Sequence, residues 1–391
     1  MKVILAINAG SSSVKVSVYA ATSARATPRH LADAQVSGLT APPARLRYER
    51  PPGRPVIEDK EVDGGVGGQD DAFRLLLDTL VDDADLRDVG SEDDVAIACH
   101  RIVHGGDYGD AQLITRQTYH HHLERLSDLA PLHNGAALAI VASCIKQLPR
   151  AANLACFDSQ FHASIPAHIS TYPVDPQVAR KNRLRKYGFH GISYPFIARS
   201  VAEFLDKDLG SLNVIALHLG SGASAGSVDP GLVFHYASDA GKLSPASTRD
   251  LHISKAEEIL NRESGWKCLT GTTDFGVISG SDEARHRLAF DLMVDRICGF
   301  VGSYYVSLRG EVDALVFAGG IGGEDTRLRR AVVEATGCLG FALDERRNGA
   351  SGEGVVQNVG AEGAKHGVLV CRTDEQFEMA RMCTAREELW R

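Results

Sequence analysis

Three glycine- and serine-rich runs each follow an apolar stretch of this chain: Asn8-Ala9-Gly10-Ser11-Ser12-Ser13, Gly220-Ser221-Gly222-Ala223-Ser224 and Gly319-Gly320-Ile321-Gly322-Gly323. Glycine lets a backbone approach an anion closely, and successive N–H groups can cradle phosphate oxygens. One such turn is more often a plain hairpin, but three in one chain point toward a nucleotide site. None has the P-loop spacing G-x-x-x-x-G-K-[ST] or the G-x-G-x-x-G fingerprint. Lys15, two residues past the first run, puts a cation beside any phosphate bound there, although a lone strand lysine is usually solvated. Arg101 stands at the tip of an apolar run that opens into His104-Gly105-Gly106. Its planar fork suits a carboxylate or phosphoryl group, and equally a structural ion pair. Asp158 follows the run Leu154–Phe157. An acid at the carboxyl end of a strand lies where open α/β sheets bind ligands, unless it caps the segment that follows. His190, in Tyr187-Gly188-Phe189-His190-Gly191, is flanked by glycines that would expose it, or is a satisfied structural histidine.

The elements that must hold these residues alternate between strand and helix. Val3–Ile7 and Val14–Tyr19 read as two strands joined by the first tight turn. Residues 20–66, rich in Ala, Pro, Arg and Gly, read as strand-and-loop excursions. Ala72–Leu80 and Gly135–Leu148 have helical spacing, and Val95–Cys99 and Leu154–Phe157 read as buried strands. A second lobe opens as the first does: a shift of 210 positions lays Leu5 on Ile215, Ile7 on Leu217, Asn8 on His218 and Gly10 on Gly220. Further on, Ser254–Asn261 and Asp282–Val306 read as helices, Ala314–Phe317 and Gly367–Cys371 as strands, and Thr373–Trp390 as a terminal helix capped by Thr373 with Gln376. This is an α/β chain with two sheets.

At 391 residues the chain suits two domains. A formal net charge of -8 argues against a nucleic-acid partner, which would demand clustered Lys and Arg. The eight cysteines form no C-x-x-C pair and several sit in apolar runs, as expected of reduced, mostly buried thiols in the cytosol. No apolar run approaches the ~18 residues that span a bilayer, and Met1–Leu5 opens a strand rather than a signal peptide.

Taken together and in order, these runs resemble the acetate kinase family, short-chain carboxylate kinases of the actin, Hsp70 and sugar-kinase fold. The resemblance runs through Asn8–Lys15, His100–Gly106, Pro131-Leu132-His133-Asn134, Phe157–His162, Tyr187–Gly191, His218–Gly222, Glu263-Ser264-Gly265, Gly319–Gly322 and Thr373-Asp374-Glu375. Lys255–Asn261 and Gly271–Gly276 look most like its fungal branch. It implies an α/β fold of two duplicated actin-like ATPase (ribonuclease H-like) lobes around a cleft. Residues 1–150 with 377–391 would form the acetate and phosphate lobe, and 151–376 the nucleotide lobe.

The implied reaction is reversible, Mg²⁺-dependent phosphoryl transfer between ATP and acetate by direct in-line displacement, in a cytoplasmic homodimer. The resemblance carries roles onto matching positions. Asp158, His190 and Arg101 would be catalytic, and Arg101, Val103, Leu132 and Phe189 would bind the carboxylate substrate. Asn8, Ser11, Ser13, Lys15, His218, Leu219, Gly220, Ser221, Gly222, Asp274, Phe275, Gly276, Gly320, Ile321, Gly322, Gly323 and Glu324 would line the ATP and phosphate site. Asn8 and Glu375 would place Mg²⁺. Acetate is already a nucleophile, so Asp158 would organise donors and metal rather than abstract a proton.

The chain departs from the family pattern at one place. Ala225-Gly226-Ser227-Val228 runs directly into Asp229-Pro230. The family carries a strand pair there and an M-G-T-R-S-G-like run with a second active-site arginine; the next arginine in this chain is Arg249. Smaller departures are Ser221 for asparagine, Gly276 for arginine and Asp374 for asparagine. Two other readings therefore stay open: a catalytically impaired nucleotide-binding homologue or shortened gene product, and a propionate or butyrate kinase.

Overall fold

The computed structural model describes the chain except for Ser11, Pro52, Asp63, Gly65, 116–130, 221–254, 256–257, 260–263, Ser351 and Glu353, and the side chains of Arg54 and 131–133. Two compact units emerge, Met1–Ile192 with Asp374–Arg391, and Ser193–Thr373.

The first unit is built on an eight-stranded sheet in the order β5-β4-β3-β2-β1-β6-β8-β7. β1 (Lys2–Ala9) is an apolar run buried on both faces, which suits a central strand. It pairs antiparallel with β2 (Ser13–Ala21), the hairpin anticipated from the sequence, and parallel with β6 (Val95–Ile102). The loosely read stretch 20–66 continues the meander as β3 (Arg29–Ser37), β4 (Arg45–Arg50) and β5 (Arg54–Glu61). On the other side β8 (Ala152–Phe157) runs parallel to β6, with β7 (Gln112–Ile114) antiparallel at the margin.

Helices cover both faces. α1 (Gln69–Val81) turns Phe73, Leu76, Leu77 and Leu80 onto one face, beside Ile140 and Cys144 of α2 (Pro131–Gln147). The terminal helix Glu375–Ala385 lays Met379, Ala380 and Cys383 on the other face, against Ile4, Ala6, Cys99 and Leu154. Asp374 caps that helix, its carboxylate accepting from the Phe377 N–H at 2.8 Å, in place of the anticipated Thr373–Gln376 box. The helix ends at Ala385, short of the anticipated Trp390, and a 3₁₀ turn, Glu387–Trp390, follows. The first unit runs past the boundary expected at 150 because β8 joins its sheet and Ile192 packs into the same apolar cluster as Ile4 and Leu154.

In the second unit the described residues form a four-stranded sheet, order β11-β12-β10-β9. β9 (Val214–His218), β10 (Ala314–Ala318) and β12 (Gly367–Cys371) are parallel, and β11 (Val356–Asn358) is antiparallel at one side. The helix Ala284–Ser307 packs on it through Ala289, Phe290, Met293, Ile297 and Val301. The helix expected over 254–261 lies largely outside the described residues. All eight cysteines are free, and Cys99, Cys144, Cys156, Cys371 and Cys383 are buried. No helix among the described residues is long and apolar enough to cross a membrane.

His100 on β6 is buried beside Asn153, whose side-chain oxygen lies 2.9 Å from Nε2. Burial pushes its pKa from 6.5 down to about 4. Charging the ring would carry a cation into this interior, so stability is full above the unfolded value and falls as pH drops toward 4. Over that interval the loss approaches about 3 kcal/mol. Urea unfolding followed by Trp390 emission in a Trp266→Phe background should therefore weaken between pH 6.5 and pH 5. His100→Gln should flatten that slope; an unchanged slope would show that His100 does not set it.

Candidate functional site

The carboxyl ends of three parallel strands gather the chemistry of the first unit. β1 delivers Asn8, β6 delivers Arg101, and the residue after β8 is Asp158. The Asp158 N–H donates to the Ile102 carbonyl at 3.0 Å, extending the β6–β8 ladder by one residue. Arg101 is the hub. Its Nη2 donates to Asp158 Oδ2 at 2.7 Å and its Nε to Oδ1 at 3.3 Å, a two-pronged pair. Its Nη1 donates to Asn8 Oδ1 at 3.3 Å, and Glu375 Oε2 stands 3.5 Å from Nε. Asp158 is 1% exposed, so its charge has left water almost completely. Burial raises the Asp158 pKa above the usual carboxylate range; the Arg101 guanidinium opposes this and the Glu375 charge adds to it. Burial depresses Arg101, but Asp158 and Glu375 more than compensate and hold its pKa up.

Asp158 is therefore a partner of Arg101 and not a helix cap. The 3₁₀ turn Gln160–Ser164 starts after Ser159, whose Oγ instead accepts from the Gly105 N–H at 2.9 Å. His190 is half-buried and adopts φ +55°, a conformation few non-glycine residues hold. The Gly191 N–H donates to the Asp158 carbonyl at 2.7 Å, and a Cβ at Gly191 would stand 2.2 Å from that oxygen, so no larger residue fits. Burial lowers the His190 pKa, opposed by the Asp158 charge. The net lowering favours the neutral ring.

Val103 is half-buried and Phe189 is exposed. His104, next to Val103 in the chain, has its ring 5.5 Å from Phe189 and 4.4 Å from Tyr187, both edge-on. Asn134, fully buried, clamps the turn: its Oδ1 accepts from the His104 N–H and its Nδ2 donates to the His104 carbonyl, both at 3.1 Å. The Leu132 side chain lies outside the described residues.

Lys15 sits opposite Asn8 in the β1–β2 hairpin, and its ammonium lies 3.8 Å from Asp33. The Ser13 carbonyl accepts from the Gly10 N–H at 2.9 Å, closing the turn; Ser11 lies outside the described residues.

In the second unit, the ends of β9 and β10 lock together through backbone bonds. The Leu219 N–H donates to the Ala318 carbonyl at 2.8 Å, and the Leu219 carbonyl accepts from Ile321 and Gly322 at 2.9 and 3.2 Å. The run read as a turn is a short helix, Gly319–Glu324, which Gly319 enters at φ +75°. Among the described residues, nothing stands near the place a Cβ would occupy at Gly220, Gly320 or Gly323, and Glu324 is exposed. His218 Nδ1 lies 2.7 Å from the Ser193 hydroxyl. Asp274 uses its carboxylate to cap the helix Phe275–Ser279, accepting from Gly276 and Val277. Phe275 is in the core against Phe290, and the Leu219 side chain is buried too, so neither offers a free side chain. Ser221 and Gly222 lie outside the described residues.

Reading the sequence missed the Asn134 clamp, the Ser159 support under Gly105, and His162, although all three lie within runs quoted for the resemblance. Among the described residues no three His, Cys, Asp or Glu side chains form a metal cage. A divalent ion such as Mg²⁺ needs only one or two carboxylates besides phosphate oxygens. The hard oxygens of Asn8 and Glu375, both beside Arg101, fit that requirement.

The sequence model of the Acetokinase family matches residues 3–235 and 224–381. A probable acetate kinase of Chaetomium globosum is 55% identical, with 99% of each chain covered. An acetate kinase of Leifsonia xyli subsp. xyli is 33% identical over 97% of this chain and 98% of its own. Among solved structures, an acetate kinase of Porphyromonas gingivalis aligns with a TM-score of 0.78 at 27% identity, covering 97% of this chain and 98% of that one. A propionate kinase from Francisella tularensis aligns at 0.82 and 25% identity, covering 98% and 99%. The two matched segments meet over 224–235, where Val228 passes straight into Asp229-Pro230. The Chaetomium alignment spans 456 positions against 391 residues here, so that relative carries residues this chain lacks.

Removing one member of a buried ion pair strands the other. Arg101→Leu should lower stability by about 3–5 kcal/mol in urea unfolding, and Arg101→Leu with Asp158→Leu should recover most of it. A single variant no less stable than the double would refute the pairing.

Proposed function

Because the chain belongs to the acetokinase family, with its duplicated actin-like ATPase fold, we propose that it is an acetate kinase, catalysing ATP + acetate = ADP + acetyl phosphate. An acetate oxygen attacks the γ-phosphorus, a new O–P bond forms, and the bond to the β,γ-bridging oxygen breaks as ADP leaves. The observation that carries this reading is the Arg101 hub. Asp158 and Glu375 fix the guanidinium at the strand ends, and a fixed fork suits a carboxylate and the charge that spreads over phosphoryl oxygens in transfer.

His190, neutral, would donate a hydrogen bond to the transferring group, and Asn8 and Lys15 would contact it. Val103, Leu132 and Phe189 would enclose the acetate methyl. The open glycine backbone at Gly220, Gly320 and Gly323, with His218, Ile321, Gly322 and Glu324, would take the nucleotide, and so would Asp274 and Gly276. The first unit thus carries the carboxylate chemistry and the second the nucleotide. Asn8 and Glu375 would hold Mg²⁺, whose charge neutralises phosphate oxygens. A homodimer in the cytosol belongs to the same reading; the exposed apolar side chains Leu288, Leu292, Phe300 and Tyr304 of the helix Ala284–Ser307 support self-association.

A second reading, a nucleotide-binding homologue impaired in transfer, is favoured by one observation. The family match divides where the arginine-bearing segment would stand. Absence of a transition-state arginine costs roughly 10³–10⁵ in rate in comparable phosphoryl transfers. ATP formation from acetyl phosphate, ADP and Mg²⁺ by the purified protein separates the readings. Turnover that falls by roughly 10³ in Arg101→Ala supports an acetate kinase. Folded protein with no turnover, rescued by grafting a relative's segment between Val228 and Asp229, supports the impaired homologue. Faster turnover with propionyl phosphate would reassign the substrate.

A further inference from the structure

We propose that His162 is a positioning residue that holds His190 in its left-handed turn and so aims the His190 ring. The inference rests on the reading of His190 as the donor to the transferring phosphoryl group. A side chain at φ +55° keeps that backbone only when its surroundings over-determine it. Both ends of the turn are tied to the segment leaving β8. Downstream, Gly191 is bonded to the Asp158 carbonyl at 2.7 Å. Upstream, His162 Nε2 donates to the Phe189 carbonyl at 2.9 Å. The same imidazole occupies the space a side chain at Gly188 would need, since a Cβ there would stand 2.4 Å from its Cγ.

The His162 ring is itself fixed. Its backbone N–H donates to Ser159 at 3.2 Å within the 3₁₀ turn, and the Phe161 ring meets it edge-on at 5.4 Å. A carbonyl only accepts, so the proton of a neutral His162 is on Nε2. Burial pushes the His162 pKa down, which keeps that form at neutral pH. His162 thus acts on the phosphoryl group only through the neighbour it orients.

The test uses the full chain with His162→Phe, which keeps a ring without the donor, and His162→Gln, which keeps a donor. His162→Phe should lower kcat for ATP formation roughly 10–100-fold, the cost of a misplaced catalytic group, with KM for ADP unchanged. His162→Gln should recover most of the loss. The double variant His162→Phe with His190→Ala should be no slower than His190→Ala alone, because a residue acting through His190 has nothing left to position. Multiplicative losses would overturn the proposal. Nitrogen NMR of labelled histidines supplies a readout independent of turnover. It should find His162 protonated at Nε2, and the His190 ring signals should move in His162→Phe. If the wild type is inactive the functional reading fails separately, and unmoved His190 signals would still overturn the positioning role.

Discussion

Asp158 has left water and Arg101 is half-buried beside it, and the first unit is arranged so that neither is stranded. A buried ion pair adds little to stability, because desolvation offsets most of the attraction. What it secures is placement. The guanidinium is gripped on one edge by Asp158, faces Glu375, and reaches Asn8 with its remaining nitrogen. Each contact depends on a different strand or helix end, so the parallel register of β1, β6 and β8 must be right for any of them to form. A slip of one residue would turn Arg101 to the opposite face of the sheet.

The same logic explains why backbone, more than side chains, shapes the surroundings. Asn134 grips both polar groups of His104, Ser159 accepts from Gly105, and the Asp158 carbonyl accepts from Gly191. These bonds fix loops that follow strands, where fewer ladder bonds are available to fix them. In the second unit the Leu219 carbonyl does similar service, taking two N–H groups from the glycine helix.

Much of this is legible in the sequence. The run Val3–Ile7, the tight turn after it, the buried strand before Asp158 and the terminal helix all follow from apolar period and turn residues. The meander over β3–β5 is not, because its Ala, Pro, Arg and Gly content gives weak alternation and its strands are set by successive pairing, β3 on β2, β4 on β3 and β5 on β4. Gly319–Gly323 looked like a turn because glycine disfavours helix; tertiary bonds to Leu219 impose the helical turn instead. Arg101, Asp158 and Glu375 were each singled out, but their convergence is a property of strand order, which residue spacing does not encode. Phe275 shows the reverse: a position carried over as ligand-facing whose ring the core has taken.

The terminal helix has one further consequence. The first unit is discontinuous: Glu375 and the apolar face behind it come after the whole second unit in the chain. During synthesis the sheet of β1, β6 and β8 emerges long before the helix that covers Ile4, Cys99 and Leu154. The nascent chain must carry that bare face while the second unit is translated. The ribosome thus imposes an order of assembly in which the second unit is completed first and the Arg101 constellation closes only as the final helix docks.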